Sequence, residues 1–261
     1  MPELPEVETI VRGLKGLLPG KKLENISIFS RTLRYPLEKN RLRKLKGQKL
    51  LAIQRRAKYI IFDFEVAWLL ISLGMTGKFV FREKQIKHDH LCFTFGQDKL
   101  FYNDVRRFGF IRYYQEKPQL NTGIEPLSKA FTVDFFFNKI KDSKREIKNI
   151  LLSGFPVCGV GNIYASESLF QAGIHPQTTS MNRKKSSLLV KSIRDVLKRS
   201  IRAGGTTLKD YKNIKDSPGY FALQLSVYGR NGQACKRCEA IITKIVQSGR
   251  STFFCPSCQK R

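Results

Sequence analysis

The chain has 261 residues, 41% of them hydrophobic, and carries 48 lysines and arginines against 21 acids, a formal charge of +27. Length and apolar content agree with one large or two modest folded domains. A charge this far from zero points to a polyanionic partner. No apolar run approaches the roughly 18 residues of a membrane span and no basic amphipathic helix stands alone as an anchor, so nucleic acid is favoured over an anionic membrane. No signal-peptide core precedes the first helix, which places the expected site of action in the cytoplasm.

The chain opens Met1-Pro2-Glu3-Leu4-Pro5-Glu6. Removal of Met1 would leave Pro2 as a secondary amine with a pKa of about 8, against about 10.4 for a lysine. Such an amine can attack an electrophilic carbon at neutral pH and go on to an iminium without losing a further proton. The same residues also read as the capped start of a helix, where prolines and acids collect. From 5 to 18 the residues Val7, Ile10, Val11, Leu14, Leu17 and Leu18 fall at three- and four-residue spacings, predicting an amphipathic helix that ends at Pro19-Gly20.

The pattern then changes to short β-rich runs at 26–29, 50–54, 59–64, 68–73, 78–82, 91–95, 100–103 and 110–114, with a basic stretch and room for a short helix between 31 and 49. Eight strands at this spacing predict a sandwich or barrel. Glu, Lys, Pro, Asn and Gly crowd together at 115–122 as in a linker. Helical patterns follow at 132–141, 144–153, 162–172 and 185–202, with Gly159-Val160-Gly161 separating two of them. A helix starting after that turn would aim backbone N–H groups at phosphate. Gly204-Gly205 opens an irregular polar loop that runs through Pro218-Gly219.

Cys235-x2-Cys238 and Cys255-x2-Cys258, 16 residues apart, fit a four-thiolate zinc site in a small hairpin. Four thiolates leave no open coordination position, so the expected Zn2+ is single and structural. Cys92 and Cys158 lie among apolar residues and read as inert buried thiols.

In this layout the chain resembles the formamidopyrimidine-DNA glycosylase family along essentially its whole length. The matching strings are MPELPEVET at 1–9, RRAKY at 55–59, LGMTG at 73–77, KHDH at 87–90, RRFG at 106–109, GVGNIYASESLF at 159–170, GGTTLKD at 204–210 and RSTFFC at 250–255. Their joint order is specific where each alone is weak. The resemblance implies an N-terminal β-sandwich with an N-terminal helix (1–118), a helical helix-two-turn-helix domain (119–231) and a zinc-finger hairpin (232–261). It implies a monomeric, bifunctional glycosylase and lyase that acts on double-stranded DNA with oxidised bases or abasic sites. Pro2 would be the nucleophile, Glu3 the proton-transfer group, Lys58 an acid/base and phosphate-side cation, and Arg250 a phosphate-binding residue associated with δ-elimination. Met75, Arg106 and Phe108 match the set that fills the void left by an extruded base. His88, Lys144 and Asn162 match contacts to the DNA backbone, supported by Arg106.

Three departures stand out. Ser72 takes a place where family members commonly carry histidine, Val105 replaces a usual proline, and 153–158 departs from the usual approach to GVGN. They bear on wedge geometry and lesion preference and leave the catalytic set intact. An endonuclease VIII-like enzyme for oxidised pyrimidines shares the N-terminal proline and zinc module; Leu4, the Met75 motif and RRFG favour the purine-acting side. A non-catalytic zinc-ribbon binder would account for the charge and the cysteines, and has no use for a free Pro2.

Overall fold

The computed structural model describes residues 2–206 and 221–261, so Met1 and most of the expected polar loop at 204–219 lie outside the described residues. The described chain forms two compact units. The first takes in 2–120 with 203–206 and 221–222.

Its helix α1 runs over Leu4–Lys15 and buries Val7, Ile10, Val11 and Leu14. The helix ends three residues earlier than the periodicity predicts. At Gly16 the turn tightens, Leu17 donates its N–H to the Leu14 carbonyl at 3.1 Å, and Leu17 turns to solvent while Leu18 stays in the core. Only one of the two adjacent leucines can face inward once the helix has ended.

Strands β1 (Asn25–Ile28), β6 (Asp89–Phe95), β7 (Asp98–Asn103) and β5 (Lys78–Phe81) form one antiparallel sheet, ordered β1-β6-β7-β5. Strands β2 (Leu50–Arg56), β3 (Tyr59–Phe64), β4 (Ala67–Ser72) and β8 (Phe110–Tyr114) form the other, ordered β2-β3-β4-β8. A short helix α2 (Lys39–Arg43) interrupts the basic stretch, and the pair of sheets is the expected sandwich. Phe62 of β3 packs across the sandwich on Phe79 and Phe93 of β5 and β6, with ring centroids 5.8 and 6.0 Å apart. Aromatic pairs at these separations join burial to favourable ring geometry.

Helix α1 packs on β2 and β3 and is pinned there by charge. Arg55 donates through Nε to Glu8 at 2.7 Å and through a terminal nitrogen to the Ala57 carbonyl at 2.9 Å. Arg12 adds a second, exposed bond to Glu8 at 2.8 Å. Ala57 has a positive φ of 54° in the two-residue turn Ala57-Lys58, and its carbonyl is the one that Arg55 holds.

The second unit comprises 121–202 and 223–261. Its helices are α3 (Val133–Ile140), α4 (Ile147–Leu152), α5 (Asn162–Ala172) and α6 (Arg183–Arg202); α5, buried from Ile163 to Phe170, packs against α4 and α6, and α3 packs on α6. Helix α4 starts three residues later than its predicted 144. The Ile147 and Lys148 N–H groups go to the carbonyls of Thr178 and Pro176, which leaves Lys144 in the preceding turn. Strands β9 (Thr243–Gln247) and β10 (Arg250–Phe254) make the cysteine-bearing hairpin. Among the described residues no helix is long and apolar enough to cross a membrane.

Burial alone would raise the Glu8 pKa, but the hydrogen bonds and charges of Arg55 and Arg12 outweigh it and hold the carboxyl below its ordinary 4.5. A carboxylate depressed in the folded state contributes stability in full above its unfolded pKa and loses it as pH falls through the lower folded value. Replacing Glu8 by Gln should therefore cost about 1–2 kcal/mol at pH 7. That difference, measured by urea unfolding, should shrink once the pH drops below about 4.5.

Candidate active site

The N-terminus is fixed by its own helix cap. Glu3 is the N-cap of α1, and Glu3 and Glu6 form a capping box in which each side chain accepts the other's backbone N–H, the Glu3 N–H reaching Glu6 Oε2 at 2.8 Å. The other Glu6 oxygen accepts the Thr206 N–H at 2.7 Å. Gly205, at φ +86°, brings its backbone against this carboxylate; a Cβ there would lie 3.1 Å from Glu6 Oε1. Pro2, Glu3 and Glu6 are all buried. The residue that follows Pro2 is thus tied to its own helix, and through Glu6 to Thr206. Glu6 was not among the expected site residues. Its signal is the E-x-x-E spacing of a capping box.

Lys58 sits in the β2–β3 turn, half-buried, one residue after the carbonyl held by Arg55. The chain of contacts Glu8–Arg55–Ala57 ties this turn to the second turn of α1, the same helix that carries Pro2 and Glu3 at its start.

Met75, Arg106 and Phe108 sit on two neighbouring loops of the first unit, and all three are exposed. Exposed Met and Phe side chains this close together mark a contact surface more than a stray apolar residue does. The Arg106 guanidinium lies over the Phe108 ring, 4.6 Å from its centroid. Ser72 contributes its carbonyl to the Tyr102 hydroxyl at 3.2 Å, and its own hydroxyl lies 3.4 Å from the Gly74 N–H. Val105 is exposed beside Arg106 and takes no part in the core. His88 is at a positive φ of 70°, and its carbonyl accepts the Asp104 N–H at 3.0 Å. Asp89, next to it, is buried and receives the Ile86 N–H, the Asn103 amide and Arg82, closing the loop that presents His88.

In the second unit, Asn162 opens α5 directly after the Gly161 cap and donates its amide to the Ser251 carbonyl at 2.9 Å. Lys148, fully buried, reaches the same strand, with Nζ 2.5 Å from the Thr252 hydroxyl and 3.4 Å from the Ser251 carbonyl. An ammonium buried this deeply has to be hydrogen-bonded to be tolerated, and here it braces the strand that begins at Arg250. Lys144 is exposed in the turn before α4; Lys148, four residues on, is the lysine that joins this group. Sequence spacing does not separate the two, because what distinguishes them is burial. Arg250 is exposed and follows the tight turn Ser248-Gly249, both residues at positive φ.

The base of the hairpin is held by Glu167, whose carboxylate accepts the N–H groups of Ser226, Val227 and Tyr228, each at 2.9 Å. The sulfurs of Cys235, Cys238, Cys255 and Cys258 all lie within 4.8 Å of one another, with close pairs at 3.3, 3.5 and 3.9 Å. A tetrahedral Zn2+ with Zn–S bonds of about 2.3 Å requires sulfurs about 3.8 Å apart. The four cysteines therefore fit one such ion, which would supply structural closure of the hairpin. Cys92 and Cys158 are buried elsewhere, and burial pushes the Cys92 thiol up.

Comparison with known proteins bears on the whole of this arrangement. The formamidopyrimidine-DNA glycosylase N-terminal domain matches residues 1–111, the H2TH domain of the same enzymes 122–212, and the zinc finger found in FPG and IleRS 232–261. A formamidopyrimidine-DNA glycosylase of Rickettsia conorii is 45% identical over 271 aligned positions, covering 99% of each chain. Among solved structures, the MutM (Fpg) protein of Thermus thermophilus is 35% identical with a TM-score of 0.89, over 99% of this chain and 98% of that one. A point mutant of the Lactococcus lactis Fpg, solved in complex with Fapy-dG containing DNA, is 36% identical with a TM-score of 0.92 over the full length of both chains. By sequence, by fold and by the cysteine module, the chain belongs to the formamidopyrimidine-DNA glycosylase family of bifunctional DNA glycosylases and abasic-site lyases.

Proposed function

We propose that this enzyme excises oxidised purines, 8-oxoguanine and formamidopyrimidines, from duplex DNA through a Schiff base at Pro2 and cleaves the strand by β,δ-elimination. The observation that carries the reading is the N-terminus: a proline held beside a buried glutamate by the reciprocal Glu3–Glu6 cap. A cap alone explains the helix start; it does not call for a proline at the position that becomes the terminal amine once Met1 is gone.

In this mechanism the Pro2 nitrogen attacks C1′ of the damaged nucleotide as the bond from C1′ to the base breaks. The proton on that nitrogen passes to the departing base, which restores the nitrogen lone pair; the lone pair then opens the sugar ring, forming the iminium, and Glu3 delivers a proton to the departing ring oxygen. The iminium acidifies the neighbouring C–H, so the 3′ phosphate leaves by β-elimination and the 5′ phosphate by δ-elimination. Lys58 serves as acid/base and as a cation beside the phosphates. Arg250 grips the flanking phosphates through its planar fork and assists the second elimination. Met75, Arg106 and Phe108 occupy the space of the extruded base, while His88, Lys144 and Asn162 contact the backbone.

The proposed division of labour is catalysis in 1–118, DNA binding by the helices of 119–231, and phosphate gripping by the hairpin 232–261. The enzyme acts as a monomer on cytoplasmic, nucleoid-associated DNA. Relatives solved with Fapy-dG and with abasic-site DNA support this substrate class.

Three outcomes test the reading. Protein that retains one or more residues ahead of Pro2 should lose nicking of an 8-oxoguanine duplex by at least about a hundredfold while binding that duplex normally; normal nicking would remove Pro2 as the nucleophile. Replacing Arg250 by Ala with zinc retained should slow the second elimination, so that the β-elimination product accumulates on a sequencing gel. Stripping the zinc should weaken binding to a duplex with an abasic-site analogue by at least about tenfold, because the hairpin loses its fixed shape. Chelation without effect on binding would show that the hairpin is not needed for it.

A further inference from the structure

The exposed side chains of the wedge lie on two loops, 73–77 and 104–109, and the groups that join those loops are polar and largely hidden. Asp104 is fully buried. One of its carboxylate oxygens accepts the Thr76 hydroxyl at 2.5 Å, and the other accepts the Gly109 N–H at 2.8 Å. The Thr76 oxygen in turn accepts the Arg106 N–H at 3.0 Å. Thr76 thus gives its proton to the residue before the second loop's tip and receives one from the tip itself.

The backbones are in contact as well. A Cβ on Gly74 would overlap the Phe108 backbone, and one on Gly109 would overlap the Ser72 carbonyl and the Tyr102 hydroxyl. Met75 stands between Gly74 and Thr76, the two residues that touch the opposite loop, so its direction is set by that loop.

We propose that the Met75 loop and the Arg106–Phe108 loop insert as one rigid wedge, and that Thr76, bonded to Asp104, is the positioning residue that couples them. This rests on the proposed void-filling roles of Met75 and Phe108. Two separately mobile loops would each lose conformational freedom on entering the duplex, whereas a pre-joined wedge has lost it on folding. Removing the Thr76 hydroxyl loosens the joint without removing any side chain that enters the DNA.

The test is a double-mutant cycle of Met75→Ala and Phe108→Ala, read as single-turnover excision and as the rate of base extrusion reported by 2-aminopurine beside an 8-oxoguanine. In the otherwise native enzyme the two effects should be non-additive by at least about fivefold. With Thr76→Val, or with the smaller Thr76→Ala should valine fail to fold, extrusion should slow about tenfold and the two effects should become multiplicative. Binding to undamaged duplex should stay unchanged. Thr76→Ser should restore the native coupling. Unaltered coupling in both hydroxyl-free variants, or loss of it in Thr76→Ser, overturns the proposal. Native excision by both Met75→Ala and Phe108→Ala overturns the void-filling reading itself, and with it the wedge.

Discussion

The role proposed for Pro2 puts a nucleophile at the end of the chain, where a residue has the fewest covalent restraints, and asks it to meet a sugar carbon within a few tenths of an ångström. Here the restraint is the Glu6 carboxylate. It receives the Glu3 N–H from its own chain start and the Thr206 N–H from a segment two hundred residues away. Helix α1 can serve as a rigid mount only because Val7, Ile10, Val11 and Leu14 bury its other face in the sandwich. The same mount holds the Lys58 turn through Glu8 and Arg55.

The second unit solves a similar problem with different groups. A two-stranded hairpin is marginal by itself, and this one is secured by four cysteines at its end, by Glu167 at its entrance and by Lys148 and Asn162 along β10. Lys148 and Asn162 hold residues 251 and 252, next to Arg250, while Glu167 holds the backbone at 226–228 ahead of the cysteines. An arginine with several rotatable bonds gains precision when the strand beneath it cannot shift.

Much of this was legible in the sequence, for identifiable reasons. Strands 59–64 and 110–114 and helix 162–172 coincide with the predicted spans; the helix is bounded by Gly161 and Gly173 and the second strand starts after Gly109. The cysteine spacing located the hairpin, and the family strings carry the side chains proposed to meet DNA, Lys144 excepted. What stayed hidden depends on burial and on distant partners. The end of α1 at Lys15 reflects how Leu18 packs, and the late start of α4 reflects carbonyls contributed by Pro176 and Thr178. Nothing in the local pattern sets Lys148 apart from Lys144, or reveals that Thr76 and Asp104 meet across 28 residues. The Asp104 carboxyl reads as an ordinary turn acid until its three-dimensional partners are known.

The central claim is that the amine of Pro2 forms the covalent bond to the sugar. The direct measurement is mass spectrometry of untagged enzyme treated with borohydride on a duplex carrying one 8-oxoguanine opposite cytosine. A reduced adduct on the peptide that begins at Pro2 is the predicted result. An adduct on an internal lysine, or none from protein that has lost Met1 and holds zinc, would contradict it; an adduct formed only with an oxidised pyrimidine would keep the nucleophile and overturn the purine assignment.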